Sequence, residues 1–240
     1  MRSIFVGIEY AGKSTLIKLL QAYYSRLKLR THLDDHFTIP DASLSPESRA
    51  LMVNFPADVK ERMQRMQIQY HVEIIKNYAN PLIAGWHIEE AVYSAMYGDN
   101  PESPYYKNYM YRAQRHYEAQ VFEAHLPDVV MIHVTASDEA IRERMKNHPH
   151  EYQVIKADDI PEIKRRFDEE IEKSLFTQKG RLIVVDTTDK TPEESFDELL
   201  LLSEPLITFG ELALRALPIP DGDYEVKYEN GIRKMIPKVG

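Results

Sequence analysis

One segment constrains the fold of this chain more than any other: Gly7-Ile8-Glu9-Tyr10-Ala11-Gly12-Lys13-Ser14. It fits the pattern G-x-x-x-x-G-K-[ST], in which glycines allow backbone N–H groups to surround phosphate oxygens and the lysine reaches the outer phosphates. The hydroxyl of the final serine is expected to hold Mg²⁺. The residues predicted to bind nucleotide phosphates are Gly7, Glu9, Tyr10, Ala11, Gly12, Lys13, Ser14 and Thr15.

The sequence on both sides of this segment has the pattern that such a loop requires. Residues 4–6 form a short apolar run that stops at Gly7, as a buried parallel strand would. Leucines and tyrosines then recur at three- and four-residue spacing, which predicts a helix from Lys13 onward with its positive N-terminus facing the phosphates. A tight strand-to-helix turn without a ligand is the alternative, and the matching context on both sides favours phosphate binding.

The composition narrows the class of protein. Of the 240 residues 43% are apolar and 28% charged, as in ordinary globular proteins, so one large or two small folded domains are expected. The net charge of −8 argues against partners such as nucleic acid or an anionic membrane. The absence of cysteine excludes disulfides and thiolate sites. Because no apolar run approaches the roughly 20 residues of a membrane span, we expect a soluble cytoplasmic protein.

Strands and helices are predicted to alternate along the rest of the chain. Apolar runs at residues 29–37, 81–86, 129–134 and 181–185 indicate four further strands. Ser137 and Thr191 are predicted to cap the helices that follow the last two of these strands. This alternation implies an α/β fold of three layers, with a five-stranded parallel sheet covered by helices on both faces. A ligand is expected at the carboxyl ends of the strands.

The longest helical segment carries one apolar stripe. The stripe consists of Val59, Met63, Met66, Tyr70 and Ile74. We interpret it as the core-facing side, with the methionines filling gaps in the packing. Arg65, Gln67 and Gln69 on the same helix either read a polar edge of a substrate or belong to the surface beside the core. The tyrosines between residues 93 and 117 either wall an aromatic pocket or pack helices together.

The last part of the chain has a different character. A proline-rich break after Leu217 is followed by two alternating runs on either side of Asn230-Gly231, which is a strong hairpin signal. We therefore predict a main domain over residues 1–217 and a C-terminal β-hairpin appendage over residues 218–240. The hairpin is expected to pack either on the sheet edge of its own domain or on a second copy of the chain, which would make a homodimer. A flexible tail is the alternative.

Extended by Thr15, the glycine-rich segment resembles the phosphate loop of thymidylate kinases, which often reads G-x-[DE]-x-x-G-K-[ST]-T. A weaker similarity extends over about residues 1–200. Residues 71–75 and 93–97 resemble the family's helices before and after the third strand, and residues 127–130 resemble the start of its fourth strand. The resemblance implies the P-loop nucleoside and nucleotide kinase fold, with ATP as the phosphoryl donor and Mg²⁺ as cofactor.

The chain departs from thymidylate kinases at two places. Their usual Asp-Arg-Tyr after the third strand is replaced by Trp86-His87-Ile88-Glu89-Glu90, which has no arginine. Their proline-bearing motif after the second strand is replaced by Asp34-Asp35-His36-Phe37, which is similar to the Asp-Asp-Phe pattern of uridine and nicotinamide riboside kinases. A hydroxyl acceptor needs a carboxylate to take its proton, whereas a phosphate acceptor mainly needs cations. The change therefore favours an acceptor with a free hydroxyl.

Four carboxylates are candidates for the chemistry. Asp34 and Asp35 are adjacent in a strand end and point to opposite faces, so only one can easily enter a cleft. That one is expected to act as the catalytic base or as a Mg²⁺ partner, with a turn or helix-cap role as the alternative. Glu89 and Glu90 compete for the metal-side role, with helix capping as the alternative. The predicted metal-side residues are Ser14, Asp35 and Glu89.

A lid is predicted at about residues 146–160, because residues 141–150 and the basic residues that follow them resemble a kinase lid with its flanking helices. A cation that closes over a transferring phosphoryl group stabilises its spread negative charge, and Arg142 and Arg144 are the candidates. A solvated charged helix is the alternative. His148 and His150 without a third metal ligand are expected to be exposed loop residues.

These features together predict an ATP-dependent kinase of a nucleoside-like or nucleotide-like small molecule. Lys13 would hold the outer phosphates, Asp34 or Asp35 would receive the acceptor, and Arg142 or Arg144 would close over it. A regulatory NTPase is an alternative, although the guanine-reading Asn-Lys-x-Asp is absent. An ATP-binding module without catalysis is the other alternative, suggested by the missing Asp-Arg-Tyr.

Overall fold

The computed structural model describes residues 1–35, 38–40, 44–111, 114–126, 128–217, 224–229 and 232–237. Its centre is a five-stranded sheet in the order β2-β3-β1-β4-β5, in which every neighbouring pair is parallel. The strands are β1 Arg2–Val6, β2 His32–Asp34, β3 Pro81–Ala84, β4 Val129–Thr135 and β5 Leu182–Asp186. Because all five strands run the same way, their carboxyl ends meet at one edge of the sheet, where ligands bind in open α/β folds.

Helices connect the strands and surround the sheet. They are α1 Lys13–Arg26, α2 Pro46–Val53, α3 Ala57–Asn77, α4 Trp86–Tyr97, α5 Gln114–Ala124, α6 Asp138–Asn147, α7 Ile160–Lys173, α8 Leu175–Gln178, α9 Pro192–Ser203 and α10 Phe209–Arg215. Helix α1 packs against α9, and α4 packs against α7. The prediction of a parallel sheet between helical layers is confirmed.

The middle of the sheet is the core of the molecule. Ile4, Phe5 and Val6 of β1 are almost completely buried, as are all residues from Val129 to Val134 of β4 except His133, which is 8% exposed. Strands of this kind have apolar side chains on both faces because helices cover both faces. The uninterrupted apolar runs that predicted these two strands therefore reflect their central position.

The two strands on the other side of β1 are shorter than predicted. Of the predicted residues 29–37, only His32–Asp34 form β2, which pairs on one side alone, with β3. His36 and Phe37 lie outside the described residues. The prediction of a strand over residues 81–86 ends two residues too late, because Gly85 and Trp86 have positive φ angles of 77° and 53° and α4 begins at Trp86. A positive φ breaks the extended backbone of a strand.

The interpretation of the α3 stripe is wrong. Val59, Met63, Met66 and Tyr70 are 41%, 39%, 59% and 55% exposed, and Ile74 alone of the predicted stripe is buried. The buried side of α3 carries Gln64, Ile68, His71, Val72, Ile74 and Ile75. Polar Gln64 faces inward because its amide donates to Thr38 Oγ1 at 3.0 Å and accepts from the backbone N–H of Tyr109 at 3.2 Å. On the buried side of α3, where the periodicity predicted methionines, the structure thus has a hydrogen-bonded glutamine.

Local signals for helix starts are confirmed. The Ser137 hydroxyl accepts a hydrogen bond from the Ala140 N–H at 3.2 Å. Thr191 and Glu194 form a reciprocal capping box with Pro192 at the first helical position. Both arrangements satisfy N–H groups that have no partner within the helix.

The predicted hairpin is present as strands β6 Tyr224–Glu229 and β7 Ile232–Pro237, which pair antiparallel. Residues 218–223 and the predicted turn at Asn230 and Gly231 lie outside the described residues. Strand β6 lies beside α1. The division at residue 217 into a domain and an appendage stays a prediction. Among the helices that the structure describes, none combines the length and the apolar character needed to cross a bilayer.

Candidate functional site

The glycine-rich segment forms the loop between β1 and α1, as predicted. Gly7 has a φ of 143°, and a Cβ atom built on it would lie 2.0 Å from the carbonyl oxygen of Val134 in β4. Gly12 precedes the first residue of α1 and has a φ of 99°, a conformation that side-chain-bearing residues rarely adopt. The glycines are therefore required by backbone conformation and, at Gly7, by the close approach of β4.

A cavity of about 740 Å³ lies at the carboxyl ends of the strands, over the N-terminus of α1. The predicted site residues that line it are Glu9, Tyr10, Gly12, Lys13, Ser14, Thr15, Asp35, Glu89 and Arg144. Gly7 and Ala11 belong to the backbone of the same loop. Asp34, Arg142 and Glu90 are not among the lining residues.

Lys13 and Glu89 form an ion pair at the floor of this cavity. The Lys13 ammonium lies 2.8 Å from Glu89 Oε1, and the same carboxylate oxygen accepts the backbone N–H of Gly7 at 3.2 Å. Lys13 also donates to the Gly7 carbonyl. Glu89 is nearly buried, in the first turn of α4 just after β3. The pair fixes the lysine at the loop and brings a carboxylate from the third strand to the same place.

The structure separates the two aspartates that follow β2. Asp35 lines the cavity, and Asp34 does not. One carboxylate oxygen of Asp34 lies 3.4 Å from Nε2 of the buried His71, and the other accepts the N–H of Asp35 at 3.0 Å. The carbonyl of Asp35 accepts a hydrogen bond from Gln67. Asp34 therefore holds the strand end in place, and Asp35 faces the cavity.

Glu90 lies behind the cavity wall. Its carboxylate accepts hydrogen bonds from the hydroxyl of Thr38 at 2.6 and 2.7 Å and from the amide of Asn108. Ile39 and Pro40, which follow Thr38 in the chain, line the cavity. Glu90 thus fastens a wall segment to α4.

Two buried tyrosines complete the wall near Asp35. Tyr93 and Tyr105 both line the cavity, with ring centroids 5.2 Å apart. The hydroxyl of Tyr93 accepts the N–H of Glu9 at 3.0 Å, so it also supports the loop. Burial raises the pKa of both phenols well above the ordinary value, helped by the charge of Glu89 near Tyr93 and of Glu90 near Tyr105. Both rings therefore stay neutral, and of the two interpretations of the tyrosine-rich stretch the aromatic wall applies to them.

Arg144 is fixed beside the loop. It donates to the carbonyl of Tyr10 at 3.0 Å, to the hydroxyl of Thr187 at 3.0 Å and to the carbonyl of Thr187 at 2.8 Å. These contacts brace the loop against the segment after β5. Arg142 projects elsewhere: its guanidinium is 41% exposed and lies 4.0 Å from the carboxylate of Asp138. The structure therefore brings only Arg144 of the two to the cavity.

Residues 148–155, which we call the covering segment, lie against the loop. The carboxylate of Glu9 accepts the N–H groups of Val154 and Ile155 at 3.3 and 3.4 Å. The ring of His150 stacks on that of Tyr10, with centroids 4.0 Å apart and an interplanar angle of 17°. Burial raises the pKa of Glu9, although the charge of Lys13 and the two N–H groups counteract this.

Both predicted loop histidines of this region are exposed, and both line the cavity. The sequence interpretation did not give them a role. The available signal was their position inside the predicted lid, two residues apart around Pro149. Of the three polar α3 candidates, Gln67 contacts Asp35, whereas Arg65 lies 4.0 Å from Glu61 and Gln69 is exposed.

Structural comparison finds solved kinases with a similar fold. Deoxyadenosine kinase from M. mycoides with bound dATP superposes with a TM-score of 0.56 at 14% identity, over 84% of this chain and 98% of that chain. The same enzyme with bound dCTP gives a TM-score of 0.54 at 15% identity, over 86% of this chain and 100% of that chain. Thymidylate kinase from Candida albicans gives 0.52 at 13% identity, over 85% and 90%. The fold is that of a P-loop nucleotide kinase.

The likeness to P-loop nucleotide kinases is confined to structure. No protein-family model matches the chain, and no curated protein sequence matches it. The predicted resemblance to this group is confirmed at the level of the fold. At identities of 12–15% the side chains of the cavity must carry any argument about the reaction.

Proposed function

We propose that this protein is an ATP-dependent kinase that transfers the γ-phosphoryl group to a hydroxyl of a small, nucleoside-like acceptor. The observation that carries the proposal is that Asp35 and Glu89 share one cavity with Lys13 and the phosphate loop. The loop supplies donors for phosphate oxygens, and the carboxylates supply what a hydroxyl acceptor and a divalent cation need.

The donor side is built from the loop and α1. Lys13 and the loop N–H groups would hold the outer phosphates of ATP, at the positive end of the helix. Ser14, Asp35 and Glu89 offer hard oxygen ligands in the lining of one cavity, and such ligands fit Mg²⁺. Bound there, Mg²⁺ would neutralise charge on the phosphates.

The two ends of the cavity differ in charge. Because β2 and β5 are the opposite edge strands, Asp35 after β2 and Lys190 after β5 lie at opposite ends. Among the lining residues that the structure describes, the charged side chain that follows β2 is the carboxylate of Asp35, and the apolar residues Ile39 and Pro40 follow it along the chain. The described lysine and arginine side chains of the lining are Lys13, Arg144 and Lys190, of which Lys190 pairs with Glu198 at 2.6 Å.

This distribution supports a neutral acceptor. A phosphate on the acceptor would lie near the Asp35 carboxylate at the β2 end, and like charges in a partly dry cavity repel strongly. A hydroxyl at the same place could give its proton to Asp35 as it attacks. An acceptor with an apolar ring would contact the tyrosine wall.

The proposal is tested by incubating the protein with Mg-ATP and a panel of nucleosides, other alcohols and nucleoside monophosphates. We expect transfer to a nucleoside or another alcohol. Lys13→Ala should abolish transfer and leave the circular dichroism spectrum unchanged. Asp35→Asn should lower turnover by about 10² to 10⁴ with little change in ATP affinity.

The matched control is Asp34→Asn, which changes the neighbouring carboxylate outside the cavity and should affect turnover far less than Asp35→Asn. Transfer to nucleoside monophosphates with none to alcohols would contradict the proposed acceptor. ATP hydrolysis without any acceptor would favour a regulatory NTPase, and ATP binding without turnover would favour a binding module.

A further inference from the structure

We propose that His150 is the ionisable group through which the covering segment contacts the transferred phosphoryl group, and that transfer requires this imidazole in its protonated form. The inference rests on the proposed function and assigns a further residue to it. His150 thus takes the role in phosphoryl transfer that the sequence analysis predicted for Arg142 or Arg144.

The first argument is the position of His150. Its ring stacks on the ring of Tyr10, and its backbone N–H donates to the Tyr10 hydroxyl at 3.0 Å. That hydroxyl in turn donates to Oε1 of Gln153 at 3.3 Å. Tyr10 itself is held with a φ of 65°, in a region that residues other than glycine seldom occupy. The imidazole is thus positioned on the loop by ring and backbone contacts, and it remains accessible from the cavity.

The second argument is that the arginine and lysine side chains around the predicted lid either bind other groups of the protein or do not line the cavity. Arg144 makes three hydrogen bonds to the loop and to Thr187, and Arg142 lies outside the cavity lining. Lys164 donates to the carbonyl of Ala136 at 2.8 Å and to Asp138 at 2.9 Å. Lys156 is exposed and is not among the lining residues.

The arginines of α7 are engaged as well. Arg165 pairs with Glu162 at 2.6 Å and also with Glu169, and Arg166 pairs with Glu162 at 2.7 Å. Within the described part of the chain, the covering segment therefore presents only histidines to the cavity as groups that can become cationic.

The third argument is the electrostatic setting. The ionisable groups that line the cavity together with His150 are Glu9, Tyr10, Lys13, Asp35, Glu89, Tyr93, Tyr105, Arg144, His148 and Lys190. Loss of solvent lowers the pKa of His150, and the nearby charge of Lys13 lowers it further. Lys13 is also the side chain expected to bind the outer phosphates. A triphosphate between these two groups reverses the balance, because a negative charge favours the protonated imidazole.

The sign of the pH dependence follows. Without nucleotide the imidazole is neutral at neutral pH, and bound triphosphate raises its pKa. Transfer should then decline as the pH rises through the raised pKa, because the positive charge at the phosphoryl group is lost.

Titration of the imidazole tests this step without any acceptor. The histidine signals of the isotopically labelled protein are followed by NMR as a function of pH, with and without a non-hydrolysable Mg-ATP analogue. The signal of His150 is assigned through His150→Gln. We expect the analogue to raise the pKa of His150 by about one unit or more and to leave His125, which is exposed and bonded to the Val121 carbonyl, unchanged.

Turnover gives the second readout. His150→Gln should lower kcat by about 10- to 100-fold at neutral pH and remove the decline at higher pH. His150→Arg should restore most of the rate and keep it at high pH, since arginine does not lose its proton. His125→Gln should keep the wild-type rate and profile.

Two results would overturn the inference and are distinguishable. If the analogue binds and His150 titrates as before, or if His150→Gln keeps the wild-type rate and profile, the inference fails and the proposed function stands. If no Mg-ATP analogue binds to the wild type, both fail together.

Discussion

Gly7 is a residue at which the phosphate loop approaches the backbone of β4 closely. Its φ of 143° and the 2.0 Å between a built Cβ and the Val134 carbonyl leave no room for a side chain. We expect Gly7→Ala to lower the free energy of unfolding by about 2–4 kcal/mol, because the opposing atom belongs to the backbone of a buried strand and cannot easily move. Urea denaturation followed by circular dichroism measures this.

Two other glycines are matched controls. Gly180 has a φ of 68° with nothing within 4 Å of a built Cβ, so Gly180→Ala should cost only the conformational strain, about 1 kcal/mol. Gly210 lies in α10 with open space around it, so Gly210→Ala should be neutral or slightly stabilising. Equal losses at all three positions would show that the contact with β4 is not what matters.

Glu9 has a pKa above its ordinary value because burial disfavours the charged form. A raised pKa means that the folded state holds this proton more tightly than the unfolded state, so ionisation of Glu9 destabilises the fold as the pH rises. Glu9→Gln should therefore increase stability at pH 7, since its amide oxygen can still accept the two N–H groups. The gain should vanish below the ordinary glutamate pKa, where wild-type Glu9 is protonated. Denaturation at pH 3.5 and pH 7 measures the difference, and a gain of the same size at both values would contradict it.

Site residues were predictable where a local pattern fixes a local geometry. The spacing of Gly7, Gly12 and Lys13 predicted both the loop and its place between a strand and a helix. Alternation along the strand predicted that only one of Asp34 and Asp35 would enter the cavity, but not which one. That choice depends on His71, which lies 3.4 Å from Asp34 and comes from a helix about forty positions away. Contacts between distant elements leave no periodic signal in a single sequence.

At the level of elements, α3 shows how a helix can be placed correctly and its orientation misjudged. The hydrophobic spacing of Val59, Met63, Met66 and Tyr70 is genuine, but these side chains are exposed. The buried side of α3 includes Gln64, whose partners Thr38 and Tyr109 are themselves buried. Strands β1 and β4 were easier to predict because burial on both faces leaves an apolar run without any choice of face. Arg142 and Arg144 were predicted from charge and from the resemblance to a kinase lid, with a solvated charged helix as the alternative. The contacts of Arg144 with Tyr10 and Thr187 join distant parts of the chain, and no local pattern predicted them.

The orientation of α3 makes a simple mutational prediction. Met66 is 59% exposed and Ile68, two positions on, is 3% exposed. We expect Met66→Glu to change the free energy of unfolding by less than about 0.5 kcal/mol, as surface substitutions usually do. Ile68→Ala should cost about 2–4 kcal/mol through lost burial and the cavity left behind. Urea denaturation compares the two, and a larger loss for Met66→Glu would restore the core-facing interpretation of the stripe.

On the scale of the whole molecule, the C-terminal hairpin forms a two-stranded sheet separate from the central one. An isolated two-stranded hairpin is marginally stable in water, so pairing of β6 with β7 implies support from the neighbouring α1. We expect the amides of residues 225–229 and 232–234 to be protected from hydrogen exchange. Deleting residues 218–240 should lower the melting temperature or change the oligomeric state, while ATP binding persists. Exchange at the rate of a free peptide would show that the hairpin is not docked.

Glu9 and Tyr10 lie in the loop that would bind phosphate, and they also hold the segment that covers it. The covering segment has a further tie to α2, where Arg49 contacts Glu151 at 2.6 Å. We expect a nucleotide to reach Lys13 fully only when these contacts open. Association then becomes a two-step process whose observed rate levels off at high nucleotide concentration, at the opening rate of the segment. Release of the product nucleotide would require the same opening. The rate of turnover would then depend on Glu9, Tyr10 and Arg49, which have no contact with the acceptor in the proposed reaction.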